Sequence, residues 1–386
     1  MTSIGIHDLE LATAHHVLDL GVLAEYAGVD PAKYRIGLGQ DEFSVPAADE
    51  DIVTMGATAA QAVLERTGIE GVRTLLFATE SGIDHSKAAG VYVHQLLGLP
   101  PQVRVAEIKQ ACYGGTAAIQ AAVGIVLRNP GERVLVIASD VARYALDSPG
   151  EPTQGAGAIA MIIGADPALL EIEPASGLFT DDVDDFWRPN DSSTAIVDGA
   201  LSIKAYLDAM AGAWDDLAAH GGPAITEIDR LVYHQPYTKM ARKAQARLST
   251  HLSAELGEGG LGDSGLAEGA IYNRRIGNAY TASVYAGLAA ILDHEQGLPG
   301  KRIGLFSYGS GSVSEFLTGV VQAGAAERSD HFTSVLDARV PLTVAEYREL
   351  HATVLPSNVD VETARVTQAP FRFAGIQGGA RRYERR

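Results

Sequence analysis

The chain is poor in thiols: its 386 residues include a single cysteine, Cys112. One thiol cannot close an internal disulfide, so the expected compartment is the reducing cytoplasm. Basic residues are outnumbered, 30 Lys and Arg against 48 Asp and Glu, for a formal net charge of −18. Such a balance speaks against nonspecific binding to nucleic acid or an acidic membrane. It leaves small anionic ligands open, because these respond to local charge. Long apolar runs are missing too; AIAMIIG (158–164) is far shorter than the ~20 residues of a membrane span. The opening MTSIGIHDLELATAHHVLDL has no basic leader followed by an apolar run, so no secretory signal is expected. No CxxC or HExxH spacing occurs, and no metal is expected. The first strand–turn–helix unit lacks G-x-G-x-x-G, and neither a P-loop nor a G-x-S-x-G elbow is present.

What is there alternates. Short β-branched runs at 72–79, 103–108, 133–140 and 157–165 read as buried strands, and 86–98 and 116–128 as amphipathic Ala-rich helices. The second half repeats the scheme, with strands expected at 227–235 and 301–311 and helices at 238–256 and 281–295. Strand–helix alternation with apolar strands predicts an α/β fold. The halves carry comparable polar strand ends, TESG and ACYGG in the first and YHQP and GNAYTAS in the second. That points to a pseudo-duplicated fold with domains 1–168 and 169–386 and an insertion at about 175–222 lying over a site or interface. The basic C-terminal FRFAGIQGGARRYERR reads as either a final strand and tail or a self-association element.

Chemistry-bearing residues fall at these element ends, where open α/β sheets place their sites. Cys112 follows a strand and precedes Gly114, Gly115 and an Ala-rich helix, whose N-terminus favours thiolate. It is either a nucleophile or an inert buried thiol beside a turn. Glu80 and His234 sit at strand ends; each is an acid/base or polarising group, or a solvated carboxylate and a core histidine. Asn278 either orients a substrate oxygen or caps a helix, and SYGSGS (307–312) is a bed of backbone N–H groups or a tight turn. The His15–His16 pair falls in a helical pattern with its rings on different faces, a poor metal site.

Ordered motifs resemble the 3-hydroxy-3-methylglutaryl-CoA (HMG-CoA) synthase family of the thiolase-like superfamily along nearly the whole chain. They are IGLGQD (36–41), TESGIDHSKAA (79–89), EIKQACYGGTAA (107–118), SDVARYAL (139–146), GEPTQGAGAIAM (150–161), DFWRP (185–189), YHQPYTKMARKA (233–244), RRIGNAYTASVY (274–285) and GLFSYGSGSVSEF (304–316). Missing animal-type insertions make the bacterial mevalonate-pathway branch the nearest form. The resemblance implies a thiolase-like α/β fold, two pseudo-duplicated halves with mixed sheets packed around buried helices. It makes Cys112 the acyl-accepting nucleophile, Glu80 the general acid/base and His234 the group positioning an acetoacetyl thioester. Asn278 and Ser310 fall near that substrate's oxygens, Tyr144 beside the acetylated cysteine, and Asp140, Asp185 and Thr153 among supporting residues. The family implies a cytosolic homodimer without metal or redox cofactor, acting on acetyl-CoA and acetoacetyl-CoA.

The implied chemistry suits these residue types: a thiolate attacks acetyl-CoA, a carboxylate enolises the resulting thioester, and the enolate adds to a ketone. Backbone N–H groups at Cys112 and Gly309 are expected to hold the thioester oxygen. Lys239, Lys243 and Arg247 recur every four residues with Arg242 between them, one helix side; Lys239 and Lys243 are expected to meet CoA phosphates. Three alternatives remain: a CoA-primed β-ketoacyl synthase, a polyketide β-branching enzyme whose acceptor rides on a carrier protein, and a non-catalytic binder. Glu80 argues against the first, since decarboxylative condensation needs no carboxylate base.

Overall fold

The computed structural model describes residues 2–256, 260–353, 355 and 359–386. Nine strands form one mixed sheet: β1 (Ile4–Thr13), β2 (Val72–Ala78), β3 (Arg104–Ile108), β4 (Arg133–Ala142), β5 (Gly155–Ala165), β6 (Leu170–Thr180), β7 (Arg230–Tyr233), β8 (Arg302–Gly309) and β9 (Val313–Val321). Their spatial order is β7-β8-β9-β6-β1-β5-β4-β2-β3. β1 and β6 join the two halves through only two residue pairs, Gly5 with Glu171 and Ile6 with Leu170.

On either side of that seam the topology repeats. In the first half β2 runs parallel to β4, β4 antiparallel to β5, and β5 antiparallel to β1. In the second, β7 is parallel to β8, β8 antiparallel to β9, and β9 antiparallel to β6. β3, parallel to β2 on the outer edge of the first half, has no counterpart in that series.

Helices follow the same duplication. α1 (Ile52–Thr67) starts at a capping box between Asp51 and Thr54 and packs on β1, β4 and β5 with α2 (Ala89–Leu96) beside it. α4 (Gly199–Ala219) takes the equivalent place on β6 and β9, with α5 (Lys239–His251) alongside. Between the halves lie α3 (Gly114–Arg128) and α6 (Ser283–His294), whose apolar residues share one core with both parts of the sheet. Every α6 residue from Ser283 to Asp293 is buried, as expected of a helix apolar all round. The architecture is thus the expected α/β thiolase-like arrangement of mixed sheets packed around buried helices.

Local departures from the sequence reading have physical causes. Segment 86–98 becomes helical only from Ala89, because the Asp84 carboxylate accepts the Ser86 and Lys87 N–H groups in a turn. Segment 238–256 divides at Leu252 into α5 and a short helix, Ser253–Leu256. The His15–His16 pair is not helical: it stands where β1 gives way to a short strand, with the rings edge-to-face 4.7 Å apart. Residues 175–222 hold the end of β6, a hairpin pairing 186–187 with 196–197, and all of α4. The C-terminal segment forms a hairpin of Phe371–Gln377 and Ala380–Arg385, tied to α1 by Arg381 and the Tyr383 hydroxyl on Asp51.

Candidate active site

Glu80 and Cys112 come from adjacent parallel strands. Glu80 lies two residues past β2 and Cys112 four past β3, so both stand beyond carboxyl ends in the same direction. The Cys112 Sγ is 3.9 Å from Glu80 Oε1. The turn that brings it there is tight, with Ala111 at φ +42°, a conformation costly for a residue with a Cβ.

Asp140, at the end of β4 and fully buried, organises the carboxylate side. One oxygen accepts Thr79 Oγ1 (2.8 Å), the Glu80 and Ser81 N–H groups (2.9 and 3.0 Å) and Ser81 Oγ (2.8 Å). The other accepts the Thr281 N–H at 3.0 Å from the second half. Arg188 adds a cation, donating to the Glu80 carbonyl at 2.7 Å.

Burial raises the Glu80 carboxyl well above its usual range, Asp140 raises it further, and Arg188 opposes both. Burial likewise pushes the Cys112 thiol well up, reinforced by Glu80 and Asp140. This corrects the expectation of a thiolate favoured by the α3 N-terminus: in this buried, acidic surrounding the resting sulfur holds its proton.

An aromatic wall closes over the sulfur. Cys112 packs with Ala142, Tyr144 and Tyr280, and Phe186 touches both tyrosines edge-to-face. Asn278 is buried with its Oδ1 accepting the Tyr280 N–H at 2.9 Å, and its N–H meets the Thr153 carbonyl at 3.3 Å. Thr153 therefore supports through its backbone, while its hydroxyl turns to the Gly150 carbonyl.

From the second half, the turn after β8 faces the cysteine. A Cβ on Gly309 would lie 2.5 Å from the Gln110 carbonyl and 2.7 Å from the Tyr113 nitrogen, so the absence of a side chain permits the approach. Gln110 Nε2 donates to the Ser310 carbonyl at 3.3 Å. Asp185, fully buried, holds the turn's other side by accepting the Gly311 N–H (3.0 Å) and the Tyr308 hydroxyl (3.1 Å).

His234 follows β7, with its N–H on the Phe306 carbonyl and its own carbonyl on the Tyr206 hydroxyl. The residue is 2% exposed and its Nδ1 has no hydrogen-bond partner among the described residues. Burial lowers its pKa to about 3, so it is a neutral imidazole at physiological pH.

A cleft of about 1200 Å³ leads to Glu80, Ala111, Tyr280 and Ser310. Lys239 and Lys243 do not line it. Lys239 Nζ reaches the Ile36 carbonyl at 3.3 Å and Lys243 Nζ the Tyr237 hydroxyl at 2.8 Å. Arg242 is exposed and Arg247 half-buried on the same helix. The cleft's own cations are Lys87, Lys109, Arg143, Arg188 and Arg381. Among the described residues, no group of three or more His, Cys, Asp and Glu is placed to hold a metal ion, and no helix is long and apolar enough to cross a membrane.

Sequence reasoning passed over Arg188, Phe186, Tyr280 and Thr281. All four lie inside the motifs DFWRP and GNAYTAS, within three residues of the candidates Asp185 and Asn278. That shared motif membership was the available signal.

Comparison with known proteins agrees with this geometry. Residues 1–168 match the family described as hydroxymethylglutaryl-coenzyme A synthase N terminal, and residues 171–255 and 264–353 its C-terminal counterpart. A hydroxymethylglutaryl-CoA synthase of Enterococcus faecalis is 42% identical, over 93% of this chain and 94% of that protein. The polyketide biosynthesis 3-hydroxy-3-methylglutaryl-ACP synthase PksG of Bacillus subtilis is 34% identical, over 91% and 88%. A crystal structure of an HMG-CoA synthase complexed with CoA superposes with a TM-score of 0.94 at 34% identity, covering 99% of this chain and 100% of that one. A repeated mixed sheet, a buried thiol against a carboxylate and matches across both halves lead to one conclusion: the chain belongs to the hydroxymethylglutaryl-coenzyme A synthase family, condensing enzymes of the thiolase-like fold.

Proposed function

We propose that the protein condenses acetyl-CoA with acetoacetyl-CoA and water to give (S)-3-hydroxy-3-methylglutaryl-CoA and CoA for mevalonate synthesis, through an acetyl-Cys112 intermediate. The 3.9 Å contact of Cys112 Sγ with Glu80 Oε1 carries the reading. It places a carboxylate beside the atom that would bear the acetyl group.

Cys112 sulfur attacks the acetyl-CoA carbonyl, and its proton leaves on the CoA sulfur. The Glu80 carboxylate then removes a proton from the acetyl methyl group, which the thioester acidifies. The enolate adds to the C3 ketone of acetoacetyl-CoA, and the proton held by Glu80 passes to the new alkoxide. Water cleaves the thioester to Cys112, releasing product. His234, neutral, serves as a hydrogen-bond donor to the acetoacetyl oxygens rather than as an acid. N–H groups at Cys112 and Gly309 stabilise the thioester oxygen, each such donor contributing about 3 kcal/mol. Asn278, Ser310 and Tyr144 line the acceptor; Thr153 supports Asn278, Asp185 holds the turn that carries Ser310, and Asp140 holds the Glu80 backbone.

The division at 168/169 belongs to this reading: Glu80 and Cys112 come from one half, His234 and Asn278 from the other. Lys239 and Lys243, five and nine residues after His234, are assigned to the CoA phosphates. A raised KM in Lys239→Ala and Lys243→Ala supports that assignment; an unchanged KM with a raised one in Lys87→Ala moves it to the cleft. A cytoplasmic homodimer fits the lone free thiol and β3, which stands at the sheet edge with half-buried to exposed residues.

The test is intact-mass measurement after exposure to acetyl-CoA. An adduct of about 42 Da mapping to Cys112 and discharged by acetoacetyl-CoA supports the sequence of steps; active protein with no adduct sinks it. The similarity to PksG favours a second reading, in which the acceptor is a β-keto group on a carrier protein. Discharge only by carrier-bound acetoacetyl, never by free acetoacetyl-CoA, selects that one.

A further inference from the structure

Glu315, on β9, is a buried carboxylic acid that the steps above do not use. It is 1% exposed. Its two oxygens accept the Tyr113 hydroxyl at 2.8 Å and Gln120 Nε2 at 2.5 Å. Tyr113 directly follows Cys112, and Gln120 lies seven residues on. Two helical turns separate them, which puts Gln120, midway along α3, on the same face as Tyr113 at its N-cap. A strand of the second half thus grips the helix that carries the candidate nucleophile of the first.

Two more contacts cross the same boundary nearby. Thr116 Oγ1 and the Tyr285 hydroxyl are 2.7 Å apart, and Gln110 Nε2 meets the Ser310 carbonyl. Cys112 is thereby bracketed by cross-half contacts at Gln110, Tyr113 and Thr116. Such bracketing has a task, because Ala111 holds a positive φ that the turn must be made to keep.

Energetics separate a positioning role from a packing one. Taking a carboxyl group out of water is costly even when it is hydrogen-bonded, and an apolar side chain of similar volume often packs there as well or better. What the apolar residue cannot do is fix the Tyr113 hydroxyl in one place.

We propose that Glu315 is a positioning residue for the acylation step: through the Tyr113 hydroxyl it fixes the turn that presents the Cys112 thiol beside Glu80. The proposal rests on reading Cys112 as the acyl acceptor.

Glu315→Gln retains one acceptor for Tyr113, and the Gln120 amide can rotate to face the new amide. Glu315→Leu removes both acceptors. In the full chain, Glu315→Leu is expected to form the acetyl adduct about tenfold more slowly at saturating acetyl-CoA, with KM within about threefold. Glu315→Gln is expected within about threefold of the unaltered rate. Tyr113→Phe should reproduce the Leu defect, and the double variant should be no slower than either, as befits two ends of one contact. Iodoacetamide alkylation of Cys112 under native conditions is expected to quicken in Glu315→Leu and not in Glu315→Gln, because a released turn exposes the sulfur.

Folded Glu315→Leu acetylating at the unaltered rate overturns the proposal, as does an equal defect in Gln and Leu. If Glu315→Leu does not fold, Tyr113→Phe decides alone: an unaltered acetylation rate rejects the proposal. Unsubstituted protein that takes no acetyl group rejects the acyl-enzyme reading instead, while the alkylation comparison still tests the grip of Glu315 on the Cys112 turn.

Discussion

Cys112 Sγ and Glu80 Oε1 stand 3.9 Å apart at the carboxyl ends of two neighbouring parallel strands. An acetyl group on that sulfur would put its methyl carbon within reach of the carboxylate. Glu80→Gln is therefore expected to accept acetyl from acetyl-CoA yet to lose condensation by about 10²–10⁴-fold, the usual worth of a positioned base. Intact mass and product formation are measured on the same sample. Folded Glu80→Gln that condenses at full rate removes Glu80 from the base role.

Arg188 bears on where Glu80 titrates. Its guanidinium opposes the upward pressure of burial and Asp140 on Glu80. Arg188→Gln removes the cation, so the Glu80 pKa rises and the acid limb of kcat/KM moves to higher pH. His234, held at about 3 by burial, contributes no limb near neutrality. A limb that stays in place or moves to lower pH in Arg188→Gln contradicts the assignment.

Two glycines near the candidate nucleophile should respond in opposite ways to alanine. At Gly309 the new Cβ meets the backbone of Gln110 and Tyr113 at 2.5 and 2.7 Å. Displacing that turn by a fraction of an ångström is expected to cost about 10²-fold in activity. Gly124, inside α3, has open space around its Cβ position, and Gly124→Ala is expected to stabilise by about 0.5–1 kcal/mol. Thermal melts and turnover of the two variants separate them; a Gly309→Ala enzyme of full activity refutes the close approach as a constraint.

Glu50 supplies a pH dependence of stability. It accepts the His15 and Ala47 N–H groups and the Thr367 hydroxyl, and burial raises its pKa from 4.5 to about 7. Because the folded state binds this proton more tightly, the associated stability is complete below about pH 4.5 and is lost as pH rises through about 7. Glu50→Gln keeps the acceptor and removes the titration, so its advantage in denaturant midpoint over the unaltered chain should grow between pH 5 and pH 8. A difference that is flat with pH counts against this.

The sequence by itself determined the α/β class, the duplication and the motif-bearing strand ends, because period and composition are local properties of the chain. Strand 133–140 and helix 116–128 of the sequence reading correspond closely to β4 and α3 for that reason. It also singled out Cys112, Glu80 and His234 through their placement after apolar runs and their surrounding motifs. Tertiary structure decided the rest. The Cys112 thiol is pushed up by burial first and then by Glu80 and Asp140, 32 and 28 residues away in sequence, against the local pull of a helix N-terminus. Arg188 and Glu315 gained their significance from partners 108 and 202 residues distant. A side chain's electrostatic surroundings are set by whatever the fold packs against it, and no local pattern in the chain encodes that distance.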